Sequence, residues 1–217
     1  MKIVLNILKA FLINISFIGI IFASNTCPSI HPQDAKDLPV EQTEAILGDI
    51  LCSFIDLHIE GNNTFFSALS LTKKKIIPYI DFEYSTELVL GRYWEQLKPF
   101  DRKLFERNIK TTLTNEYINS LVNFEDWNNV NITVDKNFSQ LNNLAEVTLL
   151  IVLEKENISY IVTLKMIRKD RWRVYDLVFQ SLNMSIVDYF EYSYDEKIKR
   201  AGGLKYFLQK MVQNNEN

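Results

Sequence analysis

The hydrophobic pattern changes its period halfway along the chain. In the first half, apolar residues recur every three to four positions, as in the stripe from Leu47 to Leu57. In the second half they alternate, as in the segment from Ile158 to Ile167. A helix repeats every ~3.6 residues and a strand every two. The chain is therefore expected to fold as an α+β domain, with a helical N-terminal half packed on an antiparallel sheet.

Capping and turn residues divide this pattern into elements. Asp81 is placed to cap a helix from Phe82 to about Leu97, and Pro99 suits the first turn of a longer helix. After the sheet, Gly202-Gly203 separates two short closing helices. The expected strands are 130–138, 145–153, 158–167 and 172–180, about four in all, and the closing helices are 187–200 and 204–212.

The strand expected at 145–153 is apolar on both faces, unlike a sheet that has one face in water. Leu149, Ile151 and Leu153 point to one side, and Leu150 and Val152 point to the other. One interpretation is a sheet covered by helices on one side and by a dimer partner or a terminal helix on the other. The alternative is a curved sheet whose concave face lines a cavity. Composition alone favours the first, and the strand itself leaves both open.

The N-terminus has the layout of a secretory signal peptide. Lys2 and Lys9 precede an apolar run from Ala10 to Ala23. This run is shorter than the roughly 20 apolar residues that cross a bilayer, so a membrane anchor is disfavoured. We expect residues 1–23 to be removed on export, residues 24–39 to form an irregular lead-in, and residues 40–217 to form a single domain.

Charge and cysteine content narrow the possible functions. The full chain carries a net charge of −3 and becomes more acidic when Lys2 and Lys9 are removed. Nucleic acid binding needs clustered basic residues, so no nucleic acid partner is expected. The two cysteines are Cys27 and Cys52. They can form a disulfide in an oxidising compartment, but Cys52 lies in an apolar helical stripe and fits a buried thiol equally well.

The titratable residues give little support for catalysis. The two histidines, His31 and His58, have no metal-ligand partners nearby in sequence, and no nucleophile or phosphate-binding motif is present. Asp81, Tyr175 and Asp176 could form an acid–base set in a sheet-lined cone. The simpler reading is that Asp81 caps a helix and Asp176 accepts hydrogen bonds within a strand. We therefore expect no enzyme activity, no metal and no cofactor.

Two groups of motifs occur in a fixed order along this chain. The first group consists of a Pro-x-x-Asp-Phe start, a Leu-Gly-x-x-Trp helix and a long helix that carries a Phe and a Tyr. The second group consists of a Trp-x-x-Tyr-Asp strand and the closing helices. Their residues here are Pro78–Phe82, Leu90–Trp94, Phe105, Tyr117, Trp172–Asp176 and Gly203-Leu204. This order resembles the MlaC family of phospholipid-binding ABC-transporter auxiliary proteins, also called toluene-tolerance proteins. Two departures are Gln180–Asn183, where the family usually reads Glu-Gly-Val-Ser, and Ser85, where methionine is common.

The resemblance implies a periplasmic phospholipid carrier. Such a protein shuttles lipid between an outer-membrane lipoprotein–porin complex and an inner-membrane ABC transporter complex, and so maintains outer-membrane lipid asymmetry. The family fold is a strongly curved antiparallel sheet wrapped by helices, with the acyl chains held between sheet and helices. It therefore favours the cavity interpretation of the two-faced strand.

The physical requirement on a carrier is burial of both lipid tails. Each methylene left in water costs ~0.8 kcal/mol, so two exposed acyl chains cost on the order of 20 kcal/mol. We expect an apolar cavity on the order of several hundred Å³. Its expected lining residues are Leu149, Ile151, Leu153, Val162, Leu164, Leu177 and Phe179 from the strands and Phe82, Leu90 and Tyr117 from the helices.

Two other functions remain as alternatives. A small α+β enzyme would project an Asp or a His into the cavity beside a polar substrate. A transporter adaptor that binds no lipid would have a packed core, no cavity and an exposed apolar patch.

Overall fold

The computed structural model describes residues 38–124 and 127–215. Within these residues, six α-helices and six strands form an α+β fold in which most of the helices precede the sheet, as the hydrophobic pattern predicts. The helix Phe65–Lys75 was not among the expected elements. The helices are α1 (Pro39–Ile59), α2 (Phe65–Lys75), α3 (Phe82–Leu90), α4 (Pro99–Val122), α5 (Ile186–Arg200) and α6 (Leu204–Asn215). The strands are β1 (Val130–Val134), β2 (Ser139–Leu141), β3 (Leu144–Leu153), β4 (Ile158–Arg168), β5 (Trp172–Phe179) and β6 (Met184–Ser185).

Helix α3 begins where expected and ends earlier. The Asp81 carboxylate accepts a hydrogen bond from the backbone N–H of Tyr84 at 2.9 Å, which confirms the predicted cap. The α-helix stops at Leu90 because Gly91 adopts a φ of 43° and a ψ of −116°, a conformation that glycine reaches readily and that does not continue an α-helix. The chain continues as a 3-10 helix over Gly91–Gln96, so the expected α-helix to Leu97 is wrong beyond Leu90.

The sheet has two more strands than the four expected. All pairings are antiparallel in the order β1-β3-β4-β5-β6, and β2 also pairs with β3. The first expected strand, 130–138, ends at Val134 because the Asp135 carboxylate accepts the backbone N–H of Asn137 at 2.9 Å, which makes a turn. Strand β2 begins after this turn, at Ser139, and was not expected. The sixth strand, β6, is two residues long and leads directly into α5.

A bulge bends strand β5 beside helix α3. Lys165 lies opposite Asp176, but the next pair joins Met166 to Val174, so Tyr175 is the extra residue. The Ser85 hydroxyl donates to the Tyr175 carbonyl at 2.7 Å, which ties α3 to the bulge. The family departure at Ser85 therefore has a structural role in this chain.

Apolar residues form three clusters. The helical core joins α3, α4, α5 and α6 and includes Leu90, Phe105 and Tyr194. The sheet core joins one face of the sheet to α1. The third cluster lies among α1, α2 and α4, where the Phe54 and Trp127 rings stack with centroids 4.8 Å apart.

Helix α1 is fixed across the sheet at its N-terminal end. The Gln42 side-chain amide donates to the Trp172 carbonyl at 2.7 Å and accepts the Trp172 N–H at 3.2 Å. The Thr43 hydroxyl lies 3.6 Å from the Met166 sulfur. These contacts place the start of α1 over the end of the sheet that carries the β4–β5 turn. Within residues 38–124 and 127–215, no helix has the length and apolar character needed to cross a membrane.

Candidate functional site

One face of the sheet carries a continuous apolar surface toward α1. Cross-strand pairing places Leu149 opposite Val162, and Val162 opposite Phe179. A neighbouring row joins Val147 to Leu164 and Leu177. Strand parity therefore brings together six of the seven predicted strand residues, which all belong to the sheet core: Leu149, Ile151, Val162, Leu164, Leu177 and Phe179.

The side chains on this face become less buried from the C-terminal end of β4 toward its N-terminal end. Val162, Leu164 and Met166 are buried, and the Thr43 hydroxyl near the start of α1 lies against the Met166 sulfur. Toward the other end of β4 the same face is only partly covered. Its half-buried members, here named the open apolar face, are Leu47, Ile151, Tyr160, Leu177 and Phe179. A surface that is apolar and incompletely covered can bind a hydrocarbon chain without opening the buried part of the core.

Two members of the open apolar face were absent from the sequence prediction. Tyr160 shares strand parity with Val162 and lies directly opposite Ile151, so the alternation could have identified it. Burial, with a contribution from nearby Glu156, raises the pKa of Tyr160, and the phenol stays neutral at physiological pH. Leu47 belongs to the predicted stripe of α1, but the stripe does not indicate which of its members meets the sheet.

The remaining predicted residues lie outside the sheet core: Leu153 is on the same face, two residues beyond Ile151, and Phe82 and Leu90 are on helix α3. Leu153 is half-buried at the end of β3, opposite Ile158. Phe82 is buried below the Lys110 ammonium group, which lies 5.4 Å from the ring centroid, and Leu90 is buried in the helical core. Helix α3 packs on α4 and α5, so the structure does not bring Phe82 and Leu90 to the sheet core.

Some predictions fall on residues that the structure does not describe. The Tyr117 side chain, Cys27, the signal peptide 1–23 and nearly all of the lead-in 24–39 lie outside the described residues. Lipid contact by Tyr117 and a disulfide between Cys27 and Cys52 therefore stay predictions.

The opposite face of the sheet is more polar. The Thr148 and Thr163 hydroxyl oxygens lie 3.3 Å apart, and the Gln180 side chain donates to Thr163 at 2.8 Å. Ile161 on this face is 42% exposed. The start of α5 lies against this face at Asp176, which pairs with Lys165 across the sheet.

The residues of the imagined acid–base set hold the fold together. The Asp176 carboxylate accepts the Ser185 hydroxyl at 2.8 Å and the Val187 N–H at 3.1 Å, both at the start of α5. Tyr175 packs edge-on against Tyr84 at 4.9 Å, and burial raises the pKa of Tyr175 to about 12. Asp81 caps α3 and forms an ion pair with Lys169 at 2.9 Å. These groups are bound to structural partners and do not converge on one substrate position.

A cleft of about 370 Å³ lies away from the open apolar face. Unlike the apolar cavity that the resemblance implies, this charged cleft has polar walls. Its lining residues are Ile77, Pro78, Ile80, Asp81, Phe82, Glu83, Lys103, Glu106, Lys110, Lys169, Arg171 and Arg173. The described ranges contain no group of three or more His, Cys, Asp or Glu residues that could hold a metal ion.

Known proteins resemble this chain in sequence and fold. A family model described as MlaC protein matches residues 67–213. The intermembrane phospholipid transport system binding protein MlaC of Haemophilus influenzae is 24% identical over an alignment of 128 residues, and the match covers 53% of this chain and 54% of that protein. The chain thus aligns with about half the length of this relative.

A solved structure has the same fold. The phospholipid-binding protein of Ralstonia solanacearum, determined in complex with a phospholipid, matches this chain with a TM-score of 0.63 at 20% identity. The match covers 80% of this chain and 94% of that one. Because the identity is low, the likeness establishes the α+β architecture and leaves the ligand to be argued from the residues of this chain.

Proposed function

This chain belongs to the MlaC protein family, and from that premise we propose that it is a phospholipid carrier. The proposal is supported by two relatives whose names or structures concern phospholipid: the Haemophilus influenzae transport-system protein and the Ralstonia solanacearum complex. The observation within this chain that carries it is the open apolar face, a large apolar surface that the fold leaves only partly covered.

The chemistry of this face fits acyl chains. Ile151, Leu177 and Phe179 offer aliphatic and aromatic contact without a charged group, and Tyr160 is neutral. A lipid tail laid against these side chains leaves water together with them, so both surfaces contribute to the hydrophobic gain. The buried rows at Leu164 and Met166 close one end of the face, so tails enter from the Ile151 end and the headgroup stays in water.

The proposed setting is the periplasm. The basic and apolar N-terminal segment 1–23 directs export, and the carrier then moves phospholipid between an outer-membrane lipoprotein–porin complex and an inner-membrane ABC transporter complex. Removing phospholipid from the wrong leaflet in this way maintains outer-membrane lipid asymmetry. The protein needs no catalytic group for this task, because binding and release of the tails change no covalent bond.

Mass spectrometry of lipid extracted from the purified protein tests the proposal. We expect close to one glycerophospholipid per wild-type chain. Ile151→Glu places a carboxylate on the open apolar face, and it should lower bound lipid at least fivefold, because a charge beside hydrocarbon loses its hydration.

Val152→Glu is the matched control. Val152 is the next residue of β3, points to the opposite face and has the polar cross-strand neighbours Asn131 and Ser159. This variant should keep wild-type lipid. A wild-type protein without phospholipid would refute the carrier function, and equal loading of the two variants would move the lipid away from this face.

A further inference from the structure

The turn between α1 and α2 exposes large apolar side chains. Ile59 is 70% exposed and Phe66 is 79% exposed, and the neighbouring Phe65 ring packs edge-on against Phe66 at 5.8 Å. Here we name these three residues the apolar tip. Single exposed apolar residues are common on protein surfaces, but three of them within eight residues of one turn form a concentrated apolar projection.

Hydrogen bonds hold this turn in a defined shape. Thr64 caps α2 by accepting the Ser67 N–H at 3.2 Å, and the Asn62 N–H donates to the Leu57 carbonyl at 3.0 Å. The Asn63 side chain donates to the Val122 carbonyl of α4 at 2.8 Å. The apolar tip is therefore presented on a fixed support, so its exposure is a property of the fold.

The apolar tip lies beyond the open end of the sheet. Helix α1 starts over Trp172 and Met166 and reaches Trp127 at Phe54. Trp127 directly precedes β1, whose first residue, Val130, pairs with Leu153. Since α1 continues past Phe54 to Ile59, the apolar tip projects from the same end of the molecule as Ile151 and Tyr160.

The surrounding sequence suits a lipid surface. Residues 61–72 contain no charged side chain; the exposed Glu60 precedes them beside Ile59, and Lys73, Lys74 and Lys75 follow them at the end of α2. Lys75 pairs with Asp49 at 2.6 Å, while Lys73 and Lys74 are exposed. An uncharged segment with Phe side chains enters the interface of a bilayer without desolvating charge, and lysines beyond it can reach lipid phosphates.

We propose that the apolar tip inserts into the surface of a phospholipid bilayer and brings the open end of the sheet to the membrane. The inference deepens the proposed function and rests on it, because a carrier that meets the bilayer with its open end can exchange tails without exposing them to water. Three side chains give weak and reversible attachment, which a carrier that must leave again requires.

Flotation with phosphatidylcholine vesicles tests the inference on the exported protein. Phe66→Ser removes the most exposed ring of the apolar tip, and we expect the vesicle-bound fraction to fall about fivefold. Phe100→Ser is the matched control, because Phe100 is 74% exposed. It lies 22 residues before Val122 on α4, so it is about 33 Å along the helix from Val122, the residue that holds the turn of the apolar tip through Asn63. This control should float like the wild type.

Lipid content separates this inference from the proposed function. Phe66→Ser should keep the phospholipid of the wild-type protein, since the substituted ring lies outside the open apolar face, and should transfer a fluorescent phospholipid between vesicles more slowly. Equal flotation of wild type and Phe66→Ser would overturn the role of the tip, even if both carry lipid. Unchanged flotation with loss of binding to a membrane protein complex would also overturn it and would assign the tip to a protein partner.

Discussion

The helical core and the sheet core are built from similar residues but are closed to different degrees. In the helical core, Phe105 is fully buried and its ring lies 5.9 Å from those of Tyr194 and Phe207. In the sheet core, burial is complete at Met166 and only partial at Phe179. The difference shows that apolar composition alone does not define a ligand site. The proposed site is where an apolar surface lacks cover from its own chain.

The helical core also satisfies its polar atoms internally. The Tyr194 hydroxyl donates to the Asn108 side chain at 2.6 Å, and burial raises the pKa of Tyr194 to about 12. A closed, hydrogen-bonded cluster of this kind supplies stability to the domain. The open apolar face can then remain incomplete without loss of the fold.

Alanine substitution of one aromatic ring in each core should lower the free energy of unfolding by different amounts. Phe105→Ala is expected to lower the free energy of unfolding by about 3–5 kcal/mol, because it leaves a cavity in a closed core. Phe179→Ala should cost only about 1 kcal/mol in the lipid-free protein, since the ring is half-buried. Urea unfolding of lipid-free protein measures both values, and equal losses would contradict the distinction between the two cores.

Asp176→Ala should weaken the junction between the two regions. The substitution leaves the Ser185 hydroxyl and the Val187 N–H without their carboxylate partner, and Val187 belongs to the helical core. We expect a loss of about 2–3 kcal/mol in the same urea assay. The control Asp188→Ala removes an exposed carboxylate in the first turn of α5, one residue after Val187, and should cost less than about 0.5 kcal/mol. Similar effects of the two changes would exclude a junction role for Asp176.

The smallest expected change in stability comes from the ion pairs of Asp195, on the surface of the helical core. The Asp195 carboxylate lies 2.7 Å from Lys199, accepts the Tyr93 hydroxyl at 2.8 Å and pairs with Arg92. These contacts, led by the hydrogen bond from Lys199, lower the pKa of Asp195. The folded-state pKa is thus below the unfolded value of about 4, so the stabilisation is present above that pH and is lost as the pH falls through the folded-state pKa.

Asp195→Asn should therefore lower Tm slightly at pH 7, and the difference from wild type should shrink below about pH 4. Thermal melts across this range measure it. A difference that stays constant with pH would show that the charge of Asp195 does not contribute.

Local patterns predicted much of this fold. The alternation in β3 and β4 identified the face that carries Leu149 and Val162, and the Asp81 cap was confirmed. These features depend on neighbours in sequence, which a single chain reveals. Periodicity also indicated that α3 has an inner side at Leu90, but only the packing of whole helices determines that this side meets α4 and α5.

Tertiary geometry accounts for what the pattern missed. The bulge at Tyr175 shifts the register of β5, and the sequence does not indicate it because tyrosine is itself a common strand residue. The early end of α3 depends on the backbone conformation of Gly91, which has a helix former on either side. The incomplete cover over Phe179 depends on where α1 crosses the sheet, a relation between segments far apart in sequence.

Photo-crosslinking with a phospholipid that carries a diazirine near the end of one acyl chain tests the location of the ligand most directly. After irradiation and digestion, we expect crosslinks in peptides that contain the open apolar face, above all at Ile151, Tyr160 and Phe179. Crosslinks confined to the helical core or to the charged cleft would contradict it.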